Sequence, residues 1–429
     1  MKEKCLVNSR IIDPKNNIDE VGGILIDSKG KIKAIGKKVT KDSVSKETEV
    51  IDCKNKISIP GIVDLRVFVG EPGYEYKENF RTLSEAALSG GVTSVATMPN
   101  TSPVIDNVSI LDFVKRRAKD KSTIKINPFA TLTKGLEGKE MSEFGLLQIV
   151  GAVGFTDGIK CVQSNRVMDK IFNYSKSLDT LIVQFTQDNE LSLDGSVNEG
   201  IVSTRLGLKG IPDIAEKIII ERDLSLLEKY KNRYHISTLS SKASIPVIEN
   251  YKKKGLKFTA GVSINNLSLN ENDIGDFRTF LKLSPPLKKE EDRLSLIEAV
   301  NNEIIDVIVS DHKPEDEESK RLPFQQATTG ASGVETLLSL ALELHHNKKV
   351  KLNTIIKALT TNPANILKID AGHLSVGSSA DITVFDIEKP WVLKKENIKS
   401  KSKNTAIEGR RMQGKVEKTF VDGVLLFNS

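Results

Sequence analysis

The sequence predicts an α/β protein: a (β/α)8 TIM-like barrel with a small β-sandwich domain that both termini form. Two observations favour this fold class. The middle of the 429-residue chain alternates short apolar runs with stretches of helical periodicity, as repeated strand–helix units around a parallel sheet do. Both ends consist instead of short strand-like runs separated by turns. We therefore place the composite β-sandwich domain at residues 1–55 and 372–429, and the barrel at residues 56–371.

The two ends carry the signals of strands and hairpins. Residues 22–27 and 31–35 are apolar runs on either side of Ser28-Lys29-Gly30, a pattern typical of a β-hairpin. Residues 381–385 and 419–427 are also strand-like, and an Asp-Gly turn breaks the second run. Two β-rich ends around a long α/β middle predict one small sheet domain to which both termini contribute.

The middle of the chain supplies the strands and helices of the barrel in turn. The predicted order is a strand at 59–64, a helix at 79–89, a strand at 93–97, a helix at 109–118, a strand at 180–184, a helix at 211–229, a strand at 235–237, a helix at 243–254, strands at 257–260 and 304–309, and a helix at 333–346. Repeated units with buried strands are typical of a parallel sheet, most often closed as a barrel at this length.

Composition excludes several classes of protein. The 63 basic and 57 acidic residues give a net charge of +6, and they are interspersed, which predicts a solvated surface and no nucleic-acid partner. No stretch reaches the roughly 18 apolar residues of a membrane span, and the N-terminus has no apolar signal segment. Cys5, Cys53 and Cys161 form no paired pattern, which is typical of reduced thiols in a cytoplasmic protein.

A series of motifs runs in order along nearly the whole chain. They lie at residues 60–73 (PGIVDLRVFVGEPG), 75–78 (EYKE), 90–106 (GGVTSVATMPNTSPVID), 206–212 (LGLKGIP), 283–287 (LSPPL), 291–293 (EDR), 310–314 (SDHKP), 330–335 (GASGVE), 372–381 (GHLSVGSSAD) and 404–409 (NTAIEG). On these motifs the chain resembles the dihydroorotases of the amidohydrolase superfamily. The resemblance implies the superfamily barrel, with a returning sheet domain.

The resemblance also implies a reaction and a metal. Dihydroorotases open the cyclic amide of dihydroorotate to carbamoyl aspartate, or close it, in pyrimidine synthesis. Zinc lowers the pKa of water from about 15.7 to roughly 7 in such chemistry, and a carboxylate moves the protons. Zinc needs imidazole or carboxylate ligands at converging strand ends, and this chain has only five histidines. The resemblance therefore makes a zinc site an expectation that can be checked residue by residue.

The four positions at which the resemblance expects metal-binding histidines hold other residues. Arg66 and Phe68 stand in the first strand, Phe185 stands before residue 188, and Thr238 stands in the segment 235–240. Arginine is permanently charged, and a phenyl ring offers no lone pair, so neither ligates zinc. His235 remains beside these positions, and we interpret it as a hydrogen-bonded core histidine. The sequence therefore predicts no metal ion and no other cofactor.

Other functional positions of the family are kept in part. Gly70 replaces the arginine that binds the substrate carboxylate, and Glu315 replaces a histidine with the same task, where a negative charge repels an anionic substrate. Asp157 keeps one of two expected acids, so its ligand role is doubtful. Asn100 corresponds to a substrate-binding asparagine, although an Asx hydrogen bond within its own turn explains it as well. Asp311 occupies the position of the proton-shuttling aspartate and is interpreted as vestigial.

Three hypotheses about function follow. The first is a catalytically inactive dihydroorotase-like subunit, similar to the pseudo-dihydroorotases that associate with aspartate carbamoyltransferase, and we expect it to form a homo-oligomer. The second is an active or altered cyclic amidohydrolase. The third is an independent, non-enzymatic oligomeric scaffold. For a barrel without metal, we predict that Phe68 and Phe185 fill the mouth and that Arg66 pairs with Asp311.

Overall fold

A computed structural model describes residues 1–429 and divides them into strands and helices. The strands are Lys4–Asp13 (β1), Ile18–Ile26 (β2), Ile32–Gly36 (β3), Glu49–Asp52 (β4), Ile57–Pro60 (β5), Ile62–Val67 (β6), Val92–Thr97 (β7), Lys125–Pro128 (β8), Leu181–Gln184 (β9), Val197–Asn198 (β10), Gly210–Ile211 (β11), Arg233–Leu239 (β12), Thr259–Ser263 (β13), Val307–Val309 (β14), Ile382–Val392 (β15), Arg411–Val421 (β16) and Val424–Asn428 (β17).

The α-helices lie mainly between the strands of the middle region. They are Phe80–Ser89 (α1), Val108–Lys121 (α2), Phe144–Val150 (α3), Asn165–Ser175 (α4), Ile201–Leu206 (α5), Ile214–Tyr230 (α6), Ile245–Lys253 (α7), Ile264–Ser268 (α8), Glu290–Asn301 (α9), Glu317–Arg321 (α10), Leu337–His346 (α11), Leu352–Leu359 (α12) and Thr361–Leu367 (α13). None of them combines the length and the apolarity that a membrane span requires.

One sheet contains strands from both ends of the chain. Its order is β17-β16-β15-β5-β1-β2-β3, with β4 paired to β1. The central strand β5 pairs in parallel with β1 and antiparallel with β15, so it joins the N-terminal strands to the C-terminal ones. Strand β5 lies within the range predicted for the barrel, yet it belongs to this sheet. The strands form a single hydrogen-bonded sheet, and the β-sandwich and its residue bounds stay predictions.

Two parallel sheets make up the middle of the molecule. One has the order β6-β7-β8 and the other β14-β13-β12-β9. Single residues link them at both edges, because Phe155 pairs with Ala130 and Ile182, and His312 pairs with Val67. The closed (β/α)8 ladder that the sequence predicts is therefore not formed. Between α3 and α4, Phe155 pairs as an isolated residue, and no continuous strand forms there.

The two parallel sheets nevertheless share one apolar interior. Twelve buried apolar residues form it, contributed by strands of both sheets, by the residues directly after β7 and β8, and by α13: Val63, Leu65, Ala96, Met98, Phe129, Leu181, Val183, Val307, Val309, Ala364, Ile366 and Leu367. Helix α13 packs against the strand residues of this cluster. A larger cluster of 77 buried residues packs the helices against the outer faces. Packing on both faces of the two parallel sheets therefore holds in place the strand ends at which the candidate site lies.

Candidate functional site

Arg66, near the end of β6, lies at the centre of the site. Its side chain is buried, and its Nε donates to Oδ1 of Asp311 at 2.8 Å. Its Nη1 donates to Oγ of Ser237 at 2.7 Å and to the carbonyl of Gly158 at 3.3 Å. The predicted pairing of Arg66 with Asp311 is confirmed. The guanidinium thus bridges three strand ends or loops, where the resemblance expects a metal ion.

Two phenyl rings close the space around this guanidinium. Phe68 and Phe185 are 5% and 3% exposed, so the predicted filling of the mouth by these rings is confirmed. The guanidinium carbon of Arg66 lies 5.6 Å from the centroid of the Phe185 ring, within the range of a cation–π contact. Phe68 packs at 6.2 Å, centroid to centroid, from Tyr74. The aromatic side chains therefore shield the ion pair from water.

Asp311 follows β14 and has a left-handed backbone, with a φ of 52°. Burial raises the pKa of its carboxyl, and the Arg66 guanidinium opposes that rise. One carboxylate oxygen of Asp311 is bound at 2.8 Å to the guanidinium of Arg66, which is a permanent cation. This contact competes directly with the proton transfer that the family resemblance expects of Asp311.

His235 and Thr238 of β12 are also buried. The Thr238 hydroxyl has no hydrogen-bond partner. The Nδ1 of His235 lies 2.8 Å from Oγ1 of Thr259, which confirms the interpretation as a hydrogen-bonded core histidine. Burial, then the charges of Lys252 and Arg66, lower the pKa of His235 to about 3. His235 is therefore uncharged at neutral pH.

Gly70 and Glu315 stand at the two positions where the resemblance expects residues that bind a substrate carboxylate. Gly70 has a φ of +76°, and a Cβ there would lie 2.6 Å from the carbonyl oxygen of Tyr74, so the backbone itself disfavours an arginine. Glu315 is buried, with its carboxylate 2.5 Å from Nζ of Lys77 and 3.1 Å from Nζ of Lys313. Two ammonium groups therefore pair with the Glu315 carboxylate, and its repulsion of an anionic substrate stays a prediction.

Asp157 and Asn100 have different surroundings from those expected. Asp157 accepts from the backbone N–H of Thr133 at 3.0 Å and from its hydroxyl at 2.5 Å, and burial raises its pKa to about 6. Asp157 thus stabilises the loop that contains Thr133. The Oδ1 of Asn100 is buried without a partner, so the expected Asx hydrogen bond is absent. Asn100 lies against Gly158, next to the carbonyl that Arg66 contacts.

His312 connects the site to neighbouring loops. Its Nδ1 accepts from the backbone N–H groups of Gly333 and Val334 at 3.2 and 3.4 Å. Its Nε2 is 3.6 Å from Oε2 of Glu78. Since both backbone contacts need Nδ1 as an acceptor, the proton sits on Nε2. His312 therefore has a structural task.

Sequence reasoning did not identify Ser237, Lys77 and Lys313 as parts of the site. Ser237 is the neighbour of Thr238 and gave no signal of its own. Lys313 stands in the segment SDHKP, and its place two residues before Glu315 was an available signal. Lys77 comes from a distant loop, so only the fold brings it to Glu315.

The donor set at the strand ends does not fit zinc. The four expected ligand positions provide a guanidinium, two phenyl rings and one hydroxyl, none of which is an ordinary zinc ligand. No group of three or more histidine, cysteine, aspartate or glutamate side chains comes together elsewhere in the molecule. The Arg66 cation also repels a divalent ion directly. We therefore derive no chemical step through zinc.

The fold and the site together define a protein of the amidohydrolase superfamily. The model of the Amidohydrolase family matches residues 203–426, and the model described as Dihydro-orotase-like matches residues 55–244. The L-hydantoinase (dihydropyrimidinase) from Arthrobacter aurescens has the same fold, with a TM-score of 0.89 and 22% identity over 100% of this chain and 96% of that one. The dihydropyrimidinase from Brevibacillus agri gives a TM-score of 0.85 at 20% identity, over 99% and 95%.

Relatives with higher sequence identity show to which family of this superfamily the chain belongs. The dihydroorotase of Ehrlichia canis is 41% identical over 97% of this chain and 93% of its own length. The dihydroorotase of Syntrophus aciditrophicus is 39% identical over 98% of both chains. That of Aquifex aeolicus is 38% identical over 100% of both. This chain belongs to the dihydroorotase family. The individual roles of its site residues stay predictions.

Proposed function

We propose that this chain is a catalytically inactive dihydroorotase-like protein of de novo pyrimidine biosynthesis. In this proposal it forms a homo-oligomer and serves as a structural or regulatory subunit for aspartate carbamoyltransferase. The observation that carries the proposal is the buried pair of Arg66 and Asp311, with Nε and Oδ1 2.8 Å apart. A permanent cation stands where the family resemblance expects a metal-binding imidazole, and it occupies the carboxylate expected to move protons.

The neighbouring side chains supply no replacement for an activated water. Amide hydrolysis needs a strong nucleophile and a group that stabilises the tetrahedral oxyanion. The Ser237 hydroxyl accepts from Arg66 at 2.7 Å and is not paired with a base. His235 is neutral and bound to Thr259. Arg66 stabilises negative charge, but its own hydrogen bonds hold it to Asp311. These contacts support a structural use of the barrel.

A second candidate is an active or altered dihydroorotase that hydrolyses dihydroorotate to N-carbamoyl-L-aspartate. Two observations favour it. Relatives at 41% and 39% identity are named dihydroorotase, and Asn100 keeps a buried Oδ1 without a partner, as a substrate-binding amide would before substrate arrives. We rank it second because the substrate and the Arg66 cluster compete for the same strand ends.

One purification distinguishes these functions. The full chain is purified, its zinc content is measured by plasma mass spectrometry, and dihydroorotate hydrolysis is assayed. It is then mixed with aspartate carbamoyltransferase of the same organism and analysed by size-exclusion chromatography with light scattering. The dihydroorotase of Aquifex aeolicus, handled identically, serves as the comparison for metal and activity.

We expect co-elution with the transferase, no bound zinc and no turnover. Stoichiometric zinc together with turnover that is lost in Asp311→Ala would refute the proposal in favour of the enzyme. A stable homo-oligomer that ignores the transferase would refute the subunit role and favour an independent scaffold.

A further inference from the structure

The loop that follows β6, residues 70–78, folds back on itself beside Phe68. The carbonyl of Gly70 accepts from the backbone N–H of Tyr74 at 2.6 Å. A Cβ at Gly70 would lie 2.6 Å from the carbonyl oxygen of Tyr74 and 2.9 Å from that of Glu78, so a side chain does not fit inside this turn. Residues 70–78 therefore form a compact loop, which we call the cover.

The inner side of the cover contacts the barrel mouth at two places. The ring of Tyr74 packs against the ring of Phe68, with centroids 6.2 Å apart. Nζ of Lys77 lies 2.5 Å from the buried carboxylate of Glu315 and 5.2 Å from the centroid of the Tyr74 ring. Tyr76, by contrast, is 56% exposed. The cover thus has one face on the mouth and one face in water.

A second segment, residues 398–404, binds the backbone of the cover. It lies in the connection between β15 and β16. Nζ of Lys401 donates to the carbonyl of Glu75 at 2.6 Å. Oγ of Ser402 donates to the carbonyl of Lys77 at 2.7 Å. Two backbone carbonyls of the cover are therefore bound by neighbouring side chains of this segment, which we call the strap.

Glu78, the last residue of the cover, joins the strap to the barrel. It is fully buried, and its carboxylate accepts from the hydroxyl of Ser400 and, at 3.2 Å, from the backbone N–H of Lys401. Nε2 of His312, which follows β14, lies 3.6 Å from the same carboxylate. Burying a carboxylate is costly unless donors surround it. These donors therefore favour one arrangement of strap, cover and barrel.

We propose that the strap keeps the cover closed, so that the terminal sheet controls access from solvent to the Arg66 cluster. The strap connects two strands of the terminal sheet, whereas the cover belongs to the barrel. A loop opens locally at a free energy set by the contacts that hold it. Here the strap donates to two carbonyls and one carboxylate of the cover. Release of the strap therefore opens the mouth while both sheets stay folded.

Hydrogen exchange on the full chain, followed by mass spectrometry, tests the strap. The double variant Lys401→Met/Ser402→Ala removes both side-chain donors to the cover carbonyls. We expect the amides of residues 73–78 to exchange about tenfold faster or more, and those of β7 to keep their wild-type rates. Ser402→Ala alone should accelerate the same amides about fivefold. Lys399→Met is the matched control, because that side chain is exposed and only its backbone N–H is bonded, to Glu335.

Thiol labelling tests whether the cover shields the mouth. Phe68→Cys places a thiol beside Tyr74, and the three cysteines of the chain are all buried. The rate of reaction with iodoacetamide at position 68 is followed by mass spectrometry. We expect labelling to be about tenfold faster when the two strap substitutions are added to Phe68→Cys. Adding Lys399→Met instead should leave the rate unchanged.

Two results would overturn the proposal. One is unchanged exchange of residues 73–78 in both strap variants; Ser402→Ala removes a single hydroxyl, so it serves even where the double variant does not fold. The other is faster exchange of the cover with unchanged labelling at position 68, because the cover would then not shield the mouth. None of these measurements involves the transferase, zinc or dihydroorotate, so the proposal fails or stands independently of the proposed function.

Discussion

Replacing Arg66 with methionine removes the cation that faces Asp311 and keeps much of the side-chain volume. Both partners are buried, with side-chain exposures of 4% and 12%. Removing one partner of a buried ion pair costs about 3–5 kcal/mol, because the other charge is left unpaired. We therefore expect Arg66→Met to lower the free energy of unfolding by about 3–5 kcal/mol, measured by urea denaturation followed by circular dichroism.

The same variant should show a characteristic pH dependence. Burial already raises the pKa of Asp311, and the Arg66 guanidinium partly opposes that rise, so the variant has a still higher folded pKa. Its native state then takes up a proton at a pH where the unfolded carboxyl stays ionised. Stability relative to wild type is therefore lowest above the raised pKa and recovers as the pH falls, for example from about 8 to about 5.

A double-mutant cycle completes the test. Asp311→Asn added to Arg66→Met removes the unpaired charge, and we expect the double variant to recover about 1–3 kcal/mol relative to Arg66→Met alone. If Arg66→Met is as stable as wild type, or if adding Asp311→Asn changes nothing, then the ion pair does not hold the barrel mouth together and the reasoning is refuted.

Three further predictions concern the same region. Gly70→Arg forces a side chain into a left-handed position whose Cβ would lie 2.6 Å from a carbonyl oxygen. It should destabilise the fold by about 1–3 kcal/mol, seen as a lower melting temperature; an unchanged melt would contradict this. Glu315→Gln leaves Lys77 and Lys313 without their carboxylate and should lower the melting temperature, whereas Glu137→Gln, at an exposed pair, should not. Added zinc should leave the melting temperature unchanged, because a ligand that binds the native state raises it; a zinc-dependent increase would contradict the donor-set argument.

Local elements of the fold were predictable from periodicity. The helix expected at 79–89 is observed at Phe80–Ser89, and the strand expected at 93–97 at Val92–Thr97. Asn79 caps that helix, since its side chain accepts from the N–H groups of Arg81 and Thr82. The place of β5 in the terminal sheet was not predictable, because its partner β15 lies far along the chain and an apolar run does not reveal its neighbours.

An ion pair between side chains at the ends of neighbouring strands could be predicted from the sequence. Arg66 and Asp311 form such a pair, since their strands fix both positions. Glu315 shows the limit. Its sequence position suggested a repulsive charge, but Lys77 reaches it from another loop, and pairing between distant loops depends on tertiary structure. Asn100 shows the same limit, because the hydroxyl of Thr101, which donates to the Pro103 carbonyl at 2.8 Å, stabilises the turn instead.

The order of the terminal sheet makes the two ends of the chain halves of one unit. Strand β5 has β1 on one side and β15 on the other, so removing β1 from one end of the chain, or β15 to β17 from the other, uncovers a backbone edge of β5. Lys125 of β8 is 2.6 Å from Asp381, and Gly61 donates to the Asp381 carbonyl at 2.8 Å. Loss of the C-terminal segment would therefore remove support from the first barrel strand as well. The complete terminal sheet therefore cannot form until β15, β16 and β17 have been synthesised, and separately produced fragments would have to reassociate along β5 to recover it.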